Sequence, residues 1–64
     1  TLIIESNGFI EEVQIRDMSG RIVVDMKPLN NVCQIETSEL SDDLYFLYCL
    51  VQKEWFQKKF ILAH

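Results

Sequence analysis

The sequence predicts a small all-β sandwich, because its apolar residues fall in short runs that are separated by turn signals. The chain has 64 residues, which is enough for one domain with a small core. Hydrophobic residues make up 48% of it and charged residues 25%, the balance of a folded globular protein. The apolar runs, about six in number, each have the length of a strand, and this rhythm is typical of sandwiches and barrels.

The first elements are predicted from alternation and from the turns that close them. The predicted strands are, in order, Thr1–Glu5, Ile10–Asp17, Arg21–Met26, Val32–Thr37, Leu44–Gln52 and Trp55–Leu62. Ser6-Asn7-Gly8 is predicted to be a tight hairpin turn, because Asn and Gly tolerate a positive φ. Val13 and Ile15 alternate with polar residues, so both are expected to face the core. Met18-Ser19-Gly20 forms the next turn, in which we expect Gly20 at a positive φ.

The middle of the chain carries a strand break and a polar connection. Pro28 cannot donate to a β-ladder, so it is predicted to end the third strand. Ser38–Asp43 is polar except for Leu40, which is therefore expected to plug one end of the core. The alternative for this connection is a short helical turn that is capped by Ser38.

The fifth predicted strand, Leu44–Gln52, is apolar on both faces. A strand with this pattern is covered on both sides, so it either lies centrally in the core or meets another chain with one face. Lys53-Glu54 is predicted to be the short turn into the last strand, which carries Lys58 and Lys59 in its middle.

Charge and composition argue against several functional classes. Ten acidic and six basic residues give a formal net charge of −4, whereas nucleic-acid-binding modules concentrate Lys and Arg. No apolar run approaches the roughly 20 residues that a membrane-spanning helix requires. We therefore expect neither a nucleic-acid partner nor a membrane-spanning segment.

No group of side chains indicates catalysis, a cofactor or a bound metal. His64 is the single histidine, and no Ser or Cys nucleophile stands in a turn motif. The acidic pairs Glu11-Glu12 and Asp42-Asp43 form no calcium-binding loop, and adjacent residues of a strand point to opposite faces. We expect solvated charge at both pairs, no catalytic residue, no cofactor and no metal site.

Cys33 and Cys49 allow two interpretations. They lie near the middles of two strands that one connection joins, so a disulfide forms if the register brings them face to face. The alternative is a pair of buried free thiols, since Cys is among the most often buried residues. Two cysteines are too few for a miniprotein that is held together by disulfides, and they lack the spacing of zinc ligands.

The order of several motifs matches that of a known family. The segments in question are Thr1–Glu5, Val13–Val23 with Asp17 and Gly20-Arg21, Ile35–Leu40, Leu44–Leu47 and the basic-then-apolar ending Lys58–Leu62. Together they resemble the type A C-terminal sorting domain of the type IX secretion system, which is found on surface and secreted proteins of Gram-negative bacteria. The family's Tyr-Pro-Asn-Pro segment is absent before Thr1, and Asp43 stands where Gly is usual. We therefore expect the chain to begin inside the domain, as a C-terminal piece of a longer secreted protein.

The resemblance has implications for the fold and for recognition. It implies an immunoglobulin-like antiparallel β-sandwich of about six short strands, with a structural turn at Asp17 and Gly20. It also implies that an outer-membrane translocon recognises the C-terminal motif, and that a cell-surface sortase then attaches the cargo to lipopolysaccharide. The motif residues are Lys58, Lys59, Phe60, Ile61 and Leu62. The residues alone favour a second interpretation of the two lysines, as charges that keep an edge strand from pairing with other chains.

The expected function is that of a non-catalytic sorting and anchoring domain. Such a domain directs an attached protein through the periplasm and across the outer membrane to the cell surface. The alternative is a stand-alone β-sandwich module that binds a partner chain, or another copy of itself, through strand edges. Self-association is expected as a two-fold dimer through a strand edge. Lys58 and Lys59 oppose it if their strand is the free edge, whereas Thr1–Glu5 as the free edge has little protection.

Overall fold

A computed structural model describes residues 1–64, and it is all-β, as the sequence predicts. Its five strands are β1 (Leu2–Arg16), β2 (Ile22–Met26), β3 (Asn30–Ile35), β4 (Asp43–Val51) and β5 (Glu54–Leu62). Every pairing between them is antiparallel. The chain contains no helix that has the length and apolar character needed to cross a membrane.

β1 is the central strand and pairs with three of the other four. The strand order is β2-β1-β4-β5, and β3 pairs with the first part of β1. Ile10 pairs with Val51 of β4 on one side and with Asn30 of β3 on the other. Val13 pairs with Cys49 of β4 on the first side and with Met26 of β2 on the second. β2 and β3 therefore follow each other along one edge of β1, and β4 occupies the other edge.

The predicted hairpin at Ser6-Asn7-Gly8 is wrong, because these residues lie inside the continuous strand β1. The two strands predicted on either side of it are one strand, so there are five strands rather than six. The register against β3 shifts between Glu5 and Ile10, which marks a bulge in this stretch. A Cβ placed on Gly8 would lie 2.8 Å from Cγ1 of Val51. Gly8 is thus explained by the close approach of β4 and not by a turn.

A second bulge in β1 lets the residues before and after it face the core together. Ile10 pairs with Val51 but Glu12 pairs with Leu50, so one additional residue of β1, Glu11, has no counterpart in β4. Two residues an odd number apart normally point to opposite faces of a strand. The extra residue at Glu11 returns Ile10 and Val13 to the same face, and both are fully buried.

The core is small and draws on three strands. Its buried apolar members are Ile10, Val13, Ile15, Cys33, Ile35, Tyr45 and Cys49. Val13 and Ile15 are fully buried, which confirms the prediction from alternation. β3 and β4 both contribute to this core, yet no Cα of β3 lies within 8 Å of a Cα of β4. β3 and β4 lie along opposite edges of β1, and strands on the two sides of a central strand stand about 9–10 Å apart, which accounts for this separation. The start of β1 lines cavities together with β4 and β5, so the single sheet curves around the core.

This separation decides between the two interpretations of the cysteines. Cys33 lies on β3 and Cys49 on β4, and Cα atoms more than 7 Å apart cannot be joined by a disulfide. Both are free, with exposed fractions of 3% and 8%. Burial raises the pKa of both thiols, and for Cys49 the nearby Cys33 adds to the effect. The pair of free thiols is therefore the correct alternative, because β3 pairs with β1 instead of β4.

The connection between β3 and β4 is a turn with no helix. The amide of Leu40 donates to the carbonyl of Thr37 at 3.1 Å, which closes a turn, and the alternative of a helical turn capped by Ser38 is not formed. Leu40 packs against the core, as expected from its isolation among polar residues. The hydroxyl of Tyr45 donates to the carbonyl of Ser41 at 2.7 Å and holds this connection against the start of β4.

β4 and β5 are joined by a two-residue hairpin turn. Val51 and Glu54 form the last pair of the ladder, so the turn residues are Gln52 and Lys53 and not Lys53-Glu54 as predicted. Both have a positive φ, 52° for Gln52 and 65° for Lys53. Positive φ at both positions is the mark of a type I′ turn, whose twist matches that of the flanking strands.

Candidate recognition segment

The segment Lys58–Leu62 lies in the second half of β5. β5 pairs only with β4, so its other edge is free along all nine of its residues. The backbone of the segment is therefore fixed on one side by a ladder and accessible on the other. The same placement makes Lys58 and Lys59 charges on an edge strand, the setting in which lysine hinders pairing with other chains.

Alternation along β5 divides the segment between the two faces of the sheet. Lys58 and Phe60 pair with Leu47 and Tyr45, and Tyr45 belongs to the buried core. Directly paired residues share a face, so Lys58, Phe60 and Leu62 lie on the inner face, toward the core. Lys59 and Ile61 lie on the outer face, opposite Phe46 and Leu44. The segment thus presents two separate sets of side chains.

On the inner face, Lys58 borders an apolar groove. Two adjoining cavities of about 530 Å³ and 400 Å³ lie between the start of β1 and strands β4 and β5. Lys58 lines both, together with Glu5, Ile4 and Leu47. A charged side chain that points inward at an edge is one of the devices that discourage a further strand from adding to a sheet.

Phe60 and Tyr45 anchor the segment to the core. Their rings stack with centroids 5.9 Å apart and an angle of 29° between the planes. Such aromatic pairs contribute about 0.5–1.5 kcal/mol beyond the area they bury. Tyr45 is itself buried and hydrogen-bonded to the connection before β4, so Phe60 is held against a rigid partner.

On the outer face, Lys59 stands in a row with an aromatic ring and a second cation. Lys59 pairs with Phe46, and Phe46 pairs with Arg16 on β1. The guanidinium of Arg16 lies 4.9 Å from the centre of the Tyr48 ring, and its Nη2 donates to Oε1 of Gln14 at 3.0 Å. Its Nε is buried and has no hydrogen-bond partner.

The residues that follow β5 are tied to the connection between β3 and β4. The backbone amide of His64 donates to Oδ1 of Asp42 at 3.1 Å, and its Nδ1 contacts the same carboxylate. Nε2 of the ring lies 3.0 Å from the carbonyl of Thr37. Both ring nitrogens therefore face acceptors, and an imidazolium satisfies both. The hydrogen bond with Asp42 raises the pKa of His64, and the same bond lowers the pKa of Asp42.

Asp17 and Gly20 form the turn between β1 and β2. Oδ1 of Asp17 accepts from the amides of Ser19 and Arg21, each at 3.0 Å, and from the Ser19 hydroxyl at 2.7 Å. The hydroxyl bond is the main cause of the lowered pKa of Asp17. Gly20 has a φ of 88°, in the region that we expected for it, and its amide donates to the carbonyl of Asp17 at 3.0 Å. The turn is therefore organised around one carboxylate and one left-handed glycine.

Sequence reasoning treated Lys58–Leu62 as one motif and missed the partners that the fold gives it. Arg16 and Phe46 come from other strands, and only the register brings them beside Lys59. The period of two along β5 could have separated Lys58 from Lys59, because adjacent strand residues point to opposite faces. No group of three or more His, Cys, Asp or Glu side chains is placed to hold a metal ion.

A family model described as the secretion system C-terminal sorting domain matches residues 1–63 of the chain. The match covers all five strands, the Asp17 turn and the whole of Lys58–Leu62. No curated protein and no solved structure matches the chain.

Proposed function

Because the chain belongs to the family of type IX secretion system C-terminal sorting domains, we propose that it carries an attached protein across the outer membrane to the cell surface. The observation that supports this most directly is the family match over residues 1–63, which leaves only His64 outside it. The attached protein would cross the periplasm, and the outer-membrane translocon would be the first partner of the domain. A cell-surface sortase would then act on the exported protein and anchor it.

The proposed role is recognition without catalysis. The domain supplies a folded surface and an accessible edge strand, and the segment Lys58–Leu62 provides the side chains that the translocon reads. β5 suits this role because its ladder with β4 fixes the segment in an extended form while its second edge is free. An extended strand with a free edge presents both backbone groups and alternating side chains to a partner.

A reporter fusion tests the proposal. The full chain is fused to the C-terminus of a periplasmic reporter and expressed in a Gram-negative bacterium that has a type IX secretion system. Surface display is compared with that of a fusion lacking Phe60–His64 and with that of the full fusion in a strain without the translocon. We expect display only for the full chain in the intact strain, with the shortened fusion retained in the periplasm. Undiminished display of the shortened fusion would contradict the proposal.

The free edge of β5 also favours a second candidate, a module that binds a partner chain or another copy of itself through a strand edge. Trp55 and Phe56 lie at the start of this edge with exposed fractions of 53% and 55%. Unpaired backbone beside exposed apolar side chains is a template for strand addition. Sedimentation across a dilution series tests this candidate. A two-fold dimer at high concentration would support it, and a persistent monomer with cooperative unfolding would count against self-association.

A further inference from the structure

The outer face of β4 and β5 carries no carboxylate, although the chain as a whole is acidic. Its residues are Leu44, Phe46, Tyr48, Leu50, Trp55, Gln57, Lys59 and Ile61. The net charge of the chain is −4, with ten acidic residues to six basic ones. On the adjoining part of β1, Glu12 is the one acid of this face, and its carboxylate accepts a hydrogen bond from Gln14 at 3.1 Å. On β2, Asp25 pairs with Gln14 and lies on the same face, but it forms no ion pair with Arg16. The part of this face on β4 and β5 therefore presents one cation, Lys59, among apolar and uncharged groups.

Arg16, Phe46 and Lys59 form a row straight across three strands, which we call the cationic row. Directly paired side chains of antiparallel strands stand about 5 Å apart, so the aromatic ring separates two positive charges. Ile61 is next to the row on β5 and is 77% exposed, the most exposed of the large apolar residues. An apolar group beside two cations, neither of which forms an ion pair within the chain, matches a surface that bears carboxylates and a small apolar patch.

The guanidinium of Arg16 is held in one orientation on this face. Its Nε–H has no partner within the chain, and a buried donor without a partner is costly. The other side of the guanidinium is already engaged with Gln14 and the Tyr48 ring. Because Nε is buried, a partner reaches the guanidinium only through its terminal Nη groups. These N–H donors are well suited to a carboxylate.

We propose that the secretion machinery reads the outer face of this domain, and that an acidic surface of the machinery docks on the cationic row formed by Arg16, Phe46 and Lys59. The proposal rests on the sorting function proposed above and assigns different parts to the two lysines. Lys59 and Ile61 contact the partner, whereas Lys58 points toward the inner groove and protects the edge of β5. The recognised surface therefore consists of residues from β1, β4 and β5, and the C-terminal motif is only one part of it.

Charge substitutions at the two lysines test this assignment with closely matched variants. Lys58→Glu and Lys59→Glu make the same change of charge at adjacent positions of β5. The two positions differ in the face of the sheet on which the side chain lies. In the reporter fusion we expect Lys59→Glu to lose about tenfold more surface display than Lys58→Glu, because like charges placed against each other at an interface are strongly unfavourable. Lys53→Glu, in the hairpin turn, makes the same charge change outside the proposed surface and is expected to leave display unchanged. Thermal unfolding of the isolated variants checks that all three remain folded.

Two further variants test the acidic nature of the partner. Lys59→Arg keeps the charge and should retain display, while display of Lys59→Gln should fall between those of Lys59→Arg and Lys59→Glu. Equal losses for Lys59→Gln and Lys59→Glu would overturn the acidic partner, and equal losses for Lys58→Glu and Lys59→Glu would overturn the outer face as the recognised one. If the full fusion is displayed equally well in the strain without the translocon, the sorting function itself fails. The two proposals therefore fail in distinguishable ways.

Discussion

Oε2 of Glu11 accepts a hydrogen bond from the backbone amide of Lys53 at 3.3 Å, although the two residues are 42 positions apart. Glu11 is the extra residue of the second bulge in β1, and Lys53 is in the turn between β4 and β5. The bulge thus has two effects. It lets Ile10 and Val13 face the core together, and it directs the carboxylate of Glu11 to the hairpin turn. The turn that starts β5 is in this way fixed to the centre of the fold.

The hairpin turn is expected to become more stable when its residues suit a positive φ. Gln52 and Lys53 hold φ values of 52° and 65°, which are unfavourable for residues that have a Cβ. The double substitution Gln52→Asn with Lys53→Gly should raise the free energy of unfolding by about 1 kcal/mol, since Asn-Gly is the preferred type I′ pair. Urea denaturation measures the change. Glu54→Gly, one position later inside the ladder, is the control and should destabilise the domain.

Gly20 is expected to resist substitution for reasons of backbone conformation alone. A Cβ at this position would meet no atom within 4 Å, but the φ of 88° is unfavourable for a β-branched residue. Gly20→Val should therefore lower the free energy of unfolding by about 1–3 kcal/mol. Gly20→Asn is the matched control and should lose less, because Asn tolerates the left-handed region. An unchanged melting temperature for Gly20→Val would refute this account of the turn.

The two thiols are expected to stay reduced and to react slowly in the folded domain. Burial raises the pKa of both Cys33 and Cys49, and the thiolate is the reactive form. A thiol reagent should modify neither quickly at neutral pH and both on unfolding. Cys49 should react before Cys33, because it lines the inner groove. Intact mass under mild oxidation provides the check, and a species that has lost one hydrogen from each cysteine would contradict the separation of β3 and β4.

Stability is expected to depend on pH through His64 and Asp42. The pKa of His64 is raised above 6.5, so its contribution is complete below pH 6.5 and is lost as the pH rises through the folded value. The pKa of Asp42 is lowered below 3.8, so its contribution is present above pH 3.8 and is lost as the pH falls through the folded value. Melting temperatures of wild type and His64→Ala should therefore differ most between these limits. A difference that is the same at pH 5 and pH 9 would contradict the imidazolium at this position.

The parts of the fold that could be predicted from the sequence are those that local patterning determines. Alternation placed Val13 and Ile15 in the core, and Leu40 was recognised by its isolation. Gly8 was misread because an Asn-Gly pair looks the same in a hairpin turn and in a strand that needs room for Val51. The bulge at Glu11 was also missed, since its cause is the register with β4 and not the residues of β1.

The candidate site, like the fold, could be predicted from the sequence only where local patterning determines it. Lys58–Leu62 could be found from its residues, but its division between two faces was overlooked and its neighbours Arg16 and Phe46 come from distant strands. The His64 contacts with Asp42 and Thr37 were equally hidden, because nothing near His64 in the sequence indicates them. Long-range pairing of this kind depends on the topology of the sheet.

The pairing pattern of β1 has a consequence for how the domain opens. β2, β3 and β5 each pair with one neighbour only, whereas β1 carries three ladders and β4 carries two. β2 is held by four pairs with β1, while β5 is held by nine pairs with β4. Partial unfolding begins where the fewest contacts are lost. β2 is accordingly the first strand to fray, and hydrogen exchange should be fastest there, while β1 and β4 exchange only when the whole domain unfolds.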